Sequence, residues 1–501
     1  MIEGSRKFSG SNDLLVVSIA LWAVGIFIGS VFFWFDSGDD LFGQYYLLPW
    51  CFLVGLVVLS PIFYYFYKGC LDLFHPLIFA SLSYIFPAFV VGGIILSFGW
   101  SEPFYLSFIE NPRFELPLSL FYVAVGYIGL MLGYYFSFGK KIGEFLDERL
   151  SKAQWRPSEV WVGGLVLITA GFIVNILSFL RGILGYQRIE NTEIFDGLLI
   201  FLQILLIEGI VLLWLAVFEE ERKNRFVYLV AIFLLTLIPI RAFVLGSRSA
   251  FVSGLLPVIF AFFYSGRKLK GIHFLGLSVI IPIALFVGVI YGTTFRNIKG
   301  SEARMEAGAY FEQALVTLEY LSEADTEFIL KEGATALAER VENLSSLGVV
   351  VSNYEKLAPY EAAYGLENNI INDLLYSFVP RFIYPDKPNT SDVRAYGDLY
   401  FSYGENAFTV TPFGDLLRNF GPFGIPVGMF ILGIYFRVIY SSLVQSKYPA
   451  IWKKVAYYPL LTVVSYESFY ATIFPAVIRT IFVTAIGLFA VHLLTKLFRR
   501  Q

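Results

Sequence analysis

Residues 197–217 read GLLIFLQILLIEGIVLLWLAV. One charge, Glu208, stands in this run, and a helix rising 1.5 Å per residue over such a length crosses the roughly 30 Å hydrocarbon core of a bilayer. Outward from this stretch the pattern recurs. Comparable apolar runs lie at 13–35, 46–67, 72–98, 117–138, 159–180, 227–245, 249–265, 273–293, 419–440, 455–472 and 476–496, which makes twelve expected spans. The run at 13–35 is too long for a signal-peptide core, and no small-residue cleavage pattern follows it. The fold class expected is an all-α polytopic membrane protein of about twelve transmembrane helices.

Composition agrees. Only 15% of the 501 residues are charged and 57% are hydrophobic, whereas soluble domains carry about 25% charge. A net charge of −3 gives no basic surface for nucleic acid. Cys51 and Cys70 make no disulfide framework. His75, His273 and His492 are far apart, so neither a metal site nor a metal cofactor is expected.

Lysine and arginine placement orients the spans. With the N-terminus inside, the inner segments hold 20 Lys and Arg; the short outer loops hold four, Arg113, Arg181, Arg188 and Arg248. Both termini are therefore expected in the cytoplasm. The chain divides into helices 1–9 over 1–293, a large extracytoplasmic segment over 294–418, and helices 10–12 over 419–501. Connections this long are uncommon unless they have a function. The first part of the large segment reads as helical (AYFEQALVTLEYLSEADTEFIL, 309–330); the Tyr-, Pro- and Asn-rich second part reads as irregular.

Charges at membrane depth are expensive and mark functional candidates. Glu208 is mid-span. Arg241 lies in the outer third of its run, and Arg248 would share its face if that helix continued. Asp415 and Arg418 precede the tenth run, Arg296 follows the ninth, and Glu467 and Arg479 flank the last outer turn. Arginines at helix ends also snorkel to the interface, and the acidic outer segment can neutralise its own cations. Yet Arg181, Arg188, Arg241, Arg248, Arg296, Arg381, Arg394 and Arg418 all fall on the outer side. Arginine suits bidentate binding of phosphate and carboxylate. Within FVPRFIYPDKP (378–388), Pro380, Pro385 and Pro388 stiffen the backbone around Arg381 and Lys387. The bland counterpart is a rigid connecting loop. Tyr384, Tyr396, Tyr400 and Tyr403 add aromatic faces suited to sugars or to the membrane interface.

Four stretches carry a resemblance: GSRSAF (246–251), ERVENLSSLGVVV (339–351), FVPRFIYPDKP (378–388) and NAFTVTPFGDLLRNFGPFGIPVGMFILG (406–433). Over about 240–440 the chain resembles the Wzy-type O-antigen polymerases, the oligosaccharide repeat-unit polymerases of bacterial surface polysaccharide. The resemblance implies a GT-C-like membrane glycosyltransferase at the outer face of the cytoplasmic membrane. It would polymerise undecaprenyl-pyrophosphate-linked units without metal or cofactor, with a flippase and a chain-length regulator of the same pathway as partners. Arg241, Arg248, Arg340 and Arg381 stand at matching motif positions for the anionic donor, and Asp415 at the acidic position near the NFG pattern. Lys387, Arg394, Arg418 and Tyr384 complete the expected binding set. Arginines would stabilise the departing pyrophosphate, and Asp415, Glu405 or Glu467, in that order, would take the acceptor proton. A strongly dissociative reaction needs no base. Glu339 and Glu342 are not same-face partners of Arg340 on a helix, so it pairs elsewhere or binds substrate. Related O-antigen ligases typically carry a histidine in the large loop, and 294–418 has none. A transporter or flippase using Glu208, and a structural envelope partner, are the readings from other classes.

Overall fold

The computed structural model describes residues 44–187, 196–220, 225–247, 249–266, 271–300, 304–377, 379, 383–384, 391–404 and 407–499. The chain is all-α. Its helices are α1 (Tyr45–Tyr67), α2 (Pro76–Ser97), α3 (Pro112–Tyr135), α4 (Ser137–Arg149), α5 (Trp161–Leu180), α6 (Asp196–Glu219) and α7 (Arg225–Leu245). Then come α8 (Ala250–Tyr264), α9 (Gly271–Lys299), α10 (Ala307–Glu323), α11 (Thr326–Val341) and α12 (Leu344–Leu357). Short helices α13 (Asn369–Tyr376), α14 (Val393–Phe401) and α15 (Pro412–Phe420) lead to α16 (Gly424–Val444), α17 (Ile451–Thr462) and α18 (Tyr470–Arg499).

Among the described residues nine helices are long and apolar enough to cross a membrane: α1, α2, α3, α5, α6, α7, α9, α16 and α18. The architecture is that of a multi-pass membrane protein. The expected span at 13–35 lies outside the described residues. The expected span at 249–265 is the shorter apolar helix α8.

Two expectations are corrected. The run at 455–472 is not one helix: α17 ends at Thr462, and 463–469 form a non-helical turn before α18 begins at Tyr470. Hydropathy measures burial, and Val464, Tyr466 and Phe469 are buried by protein without being helical. The second part of the large segment is also more regular than its composition implies. Asp392 caps α14 through the Arg394 N–H, and Thr411 caps α15 through the Gly414 N–H, with Pro412 at the first helical position.

The frame of the bundle is the pairing of α3 with α16. Gly126, Gly129 and Gly133 recur along α3, a spacing that lets two membrane helices approach closely. A Cβ on Gly133 would sit 1.9 Å from the Phe430 carbonyl oxygen, so only glycine fits there. Just past this contact the amphipathic α4 is pinned by Asp147, which accepts from Lys453 Nζ at 2.5 Å and from the Lys447 N–H at 2.8 Å.

The large segment does not stand off as a separate layer. The first two turns of α12, Leu344 to Val351, are buried, and the Asn343 N–H donates to Ala88 O in mid-α2 at 3.1 Å. Helix α15 is buried almost throughout: the Phe413 ring packs on Gly126 of α3, and the Ser346 hydroxyl of α12 donates to Thr409 O at 2.8 Å. Thr411 takes φ +60, an uncommon conformation for a β-branched residue, to turn the chain into this helix.

Candidate functional site

Arg241 lies one turn before the end of α7, which stops at Leu245 because Gly246 takes φ +56. The helix therefore does not carry on to Arg248, which lies outside the described residues. Arg241 lines a cavity of about 720 Å3 bounded by α2, α5, α6, α7, α8, α10 and the 463–469 turn. The walls are mostly apolar, with Ile176, Phe179, Leu237, Pro257, Phe311 and Val464 among them.

Four donors in this wall are buried and meet no hydrogen-bond acceptor among the described residues: Arg241 Nε, Tyr84 Oη, Trp214 Nε1 and Tyr466 Oη. Tyr84 and Tyr466 stack with ring centroids 6.2 Å apart. Buried donors are ordinarily satisfied, and each unpaired one is costly. Several around one cavity ask for an acceptor-rich guest.

Glu467 also lines the cavity, and it forms an ion pair with Arg340, a residue of the last turn of α11. Each side chain of this pair is partly exposed. Of the three carboxylates expected as bases, Glu467 is the one on the cavity wall, Asp415 is buried elsewhere, and Glu405 lies outside the described residues.

Asp415 and Arg418 hold each other. Arg418 Nη2 donates to Asp415 Oδ1 at 2.9 Å and to Asn369 Oδ1 at 3.2 Å, and Nη1 donates to Glu361 Oε1 at 2.6 Å. The guanidinium is fully buried, ringed by Tyr396, Tyr400 and Phe469 at 5.9, 6.0 and 5.7 Å. Tyr400 donates to Glu361 at 2.9 Å, and the Ala471 N–H donates to Asp415 Oδ2 at 3.0 Å. Burial disfavours the Arg418 charge, but Asp415 and Glu361 overcome that and hold its pKa above the usual arginine value. Burial pushes the Glu361 carboxyl up, against the pull of Arg418. These expected site residues thus form a buried polar core. One turn connects them to the cavity: 464–467 line it, Phe469 covers Arg418, and Ala471 binds Asp415.

The other expected residues lie apart. Arg394 is on α14, and Tyr384 faces Tyr376 at 6.4 Å. Arg381 and Lys387 lie outside the described residues. Two of the arginines singled out in the sequence have plainer roles: Arg181 pairs with Asp196 at 3.4 Å, and Arg296 stacks on Tyr186 at 4.5 Å. Glu342 is fully buried where α11 meets α12. Burial pushes its carboxyl up to about 7, although Ser345 donates to it from its N–H and its hydroxyl.

Sequence reasoning missed Tyr84, Trp214 and Tyr466, since one aromatic among so many gives no signal. It found Arg241 and Glu467 through their charge. Such a cavity can hold an amphiphile, an apolar chain against its walls and an anionic or hydroxylated head at Arg241 and the Arg340–Glu467 pair. No curated protein and no solved structure matches the chain. Residues 159–446, from the turn before α5 to just past α16, match the family model described as Domain of unknown function (DUF8712), and the chain belongs to that family.

Proposed function

We propose that the protein is a membrane glycosyltransferase, an oligosaccharide repeat-unit polymerase of the O-antigen polymerase kind. It transfers a glycan from its undecaprenyl pyrophosphate carrier to a second lipid-linked unit at the outer face of the cytoplasmic membrane. The observation that carries this reading is the apolar cavity with four unpaired buried donors and an ion pair on its wall. A polyprenyl chain suits the walls, and a pyrophosphate supplies the acceptors those donors lack.

In this scheme Arg241 holds the pyrophosphate and stabilises its charge as the anomeric C–O bond breaks. The Arg340–Glu467 pair separates on binding. Arg340 turns to the leaving group. Glu467 accepts the proton of the acceptor hydroxyl as that oxygen bonds to the anomeric carbon. Asp415 and Arg418 fix the turn that carries Glu467. Arg248, Arg381 and Lys387 belong to the proposal on their sequence positions.

The test is glycan chain length in a strain lacking the gene, with wild type, Arg241→Ala or Glu467→Gln restored at equal expression. Long chains from wild type and single repeats from both variants are expected. Long chains from both variants would refute the scheme. The buried Glu208 favours one second reading, a transporter of lipid-linked units. Accumulation of those units on the cytoplasmic side of the deletion strain would establish that reading instead.

A further inference from the structure

The proposed chemistry leaves Glu208 unused. It lies at mid-length in α6 and is completely buried, and neither carboxyl oxygen meets a hydrogen-bond donor among the described residues. The carboxyl lies over Gly487 of α18, where an added Cβ would come within 2.5 Å of Oε2; Leu205 and Leu167 close the space. Thr480 and Thr484 precede Gly487 at helical spacing on the same face, and both hydroxyls are buried without a partner. Thr484 stands beside the carboxyl without reaching hydrogen-bond geometry.

No described charge answers this carboxyl. Helices α5 and α8 carry none. The ends of α6 are engaged elsewhere, Asp196 with Arg181 and Glu219 with Lys454. On α18, Arg479 stacks on Phe201 and His492 accepts from Trp155; Lys496 and Arg499 lie near its end. On α17, Lys453 is bound to Asp147. On α7, Arg225 lies at the start of the helix and Arg241 faces the cavity. An ionised carboxylate with no counter-charge and a single hydroxyl beside it is not sustained in such surroundings. One carboxyl and two hydroxyls also fall short of the six or so oxygens a hard divalent cation takes. The proton is the cation that needs no further ligand.

We propose that Glu208, with Thr480 and Thr484, is an intramembrane proton-exchange site. The carboxyl keeps its proton while α6 and α18 are packed as described. It yields that proton to water when the two helices part, along the hydroxyls that continue toward the Tyr470 end of α18. The cavity lies on another face of the same helix, through Ile207, Ile210 and Trp214. Proton release from Glu208 and the shape of the cavity are therefore linked through α6. This holds whatever the cavity binds.

The test is labelling of the full-length protein in lipid vesicles with a membrane-soluble carbodiimide, which adds to protonated carboxyls, read by mass spectrometry of the Glu208 peptide. One adduct is expected at Glu208, lost progressively as the pH is raised from about 6 to about 9 and the acid form disappears, unaffected by Na+, and absent in Glu208→Gln. An unlabelled but detected Glu208 peptide, labelling that does not change with pH, or protection by Na+ would each overturn the proposal. A second measurement needs no reagent. Ionising a buried carboxyl that has no counter-charge costs the folded state stability, so wild-type melting temperature falls with rising pH relative to Glu208→Gln. Parallel curves would overturn it as well.

Discussion

Exchange of Arg418 for methionine should unseat the buried polar core, and its cost follows from the geometry. The guanidinium donates to Glu361 at 2.6 Å, Asp415 at 2.9 Å and Asn369 at 3.2 Å, with no solvent exposure of its side chain. Methionine fills similar volume but leaves two buried carboxyls without their cation. Removing one partner of a buried pair costs about 3–5 kcal/mol. Protonation relieves part of this, and burial already pushes Glu361 upward, so the loss should be smaller at pH 5 than at pH 8. The assay is the unfolding midpoint in an SDS titration of purified protein in mixed micelles. Adding Asp415→Asn should recover about 2 kcal/mol, the coupling that such a contact carries. An Arg418→Met midpoint equal to wild type at pH 8, or no recovery in the double variant, would refute the reasoning. A residue that served substrate alone would lose glycan chains without losing stability.

Four further outcomes are expected. Gly133→Leu should abolish folded yield on size-exclusion chromatography, because its Cβ would meet the Phe430 carbonyl at 1.9 Å; Gly197→Ala, with nothing within 4 Å, should be neutral or stabilising by up to about 1 kcal/mol. Glu342 titrates near 7 in place of its ordinary 4.5, so its neutral form helps the fold below 4.5 and that help is lost as pH rises through 7. Glu342→Gln should remove this fall, about 3 kcal/mol across the window, in the same SDS titration. Arg241→Met should leave stability unchanged or raise it by about 1 kcal/mol, because it deletes an unpaired buried donor, while chain elongation is lost; parallel loss of stability would count against a binding role.

The spans were legible because a bilayer imposes length on composition. The runs at 46–67, 159–180, 197–217 and 227–245 correspond to α1, α5, α6 and α7 within a few residues. The run at 455–472 misled because a segment wrapped in protein and one wrapped in lipid are equally apolar. The short helices of the large segment had left their marks in Asp392 and in Thr411 followed by Pro412, but the Tyr-, Pro- and Asn-rich composition outweighed them. So did the small residues of α3: Gly129 and Gly133 form a close-packing motif readable from sequence. At the candidate site, charge made Arg241 and Glu467 visible. The pairing of Arg340 with Glu467 joins residues 127 positions apart, and nothing local encodes it. The same holds for Asp415, whose position was legible and whose burial against Glu361 and Ala471 was not.

The pairing of α3 with α16 has a consequence for how the protein is made. About 290 residues separate Tyr135 from Gly424. At a synthesis rate of about 5–20 residues per second, α3 waits roughly 15–60 s in the membrane before its partner exists. During that interval Gly126, Gly129 and Gly133 present a smooth groove to lipid, or to any insertion factor or chaperone that accepts a small-residue helix face. Docking of α16 then closes the frame late, and Phe469 and Ala471, which complete the polar core, follow later still. Assembly of the polar core around Arg418 is thus tied to completion of the chain, and truncated products leave the ribosome without it.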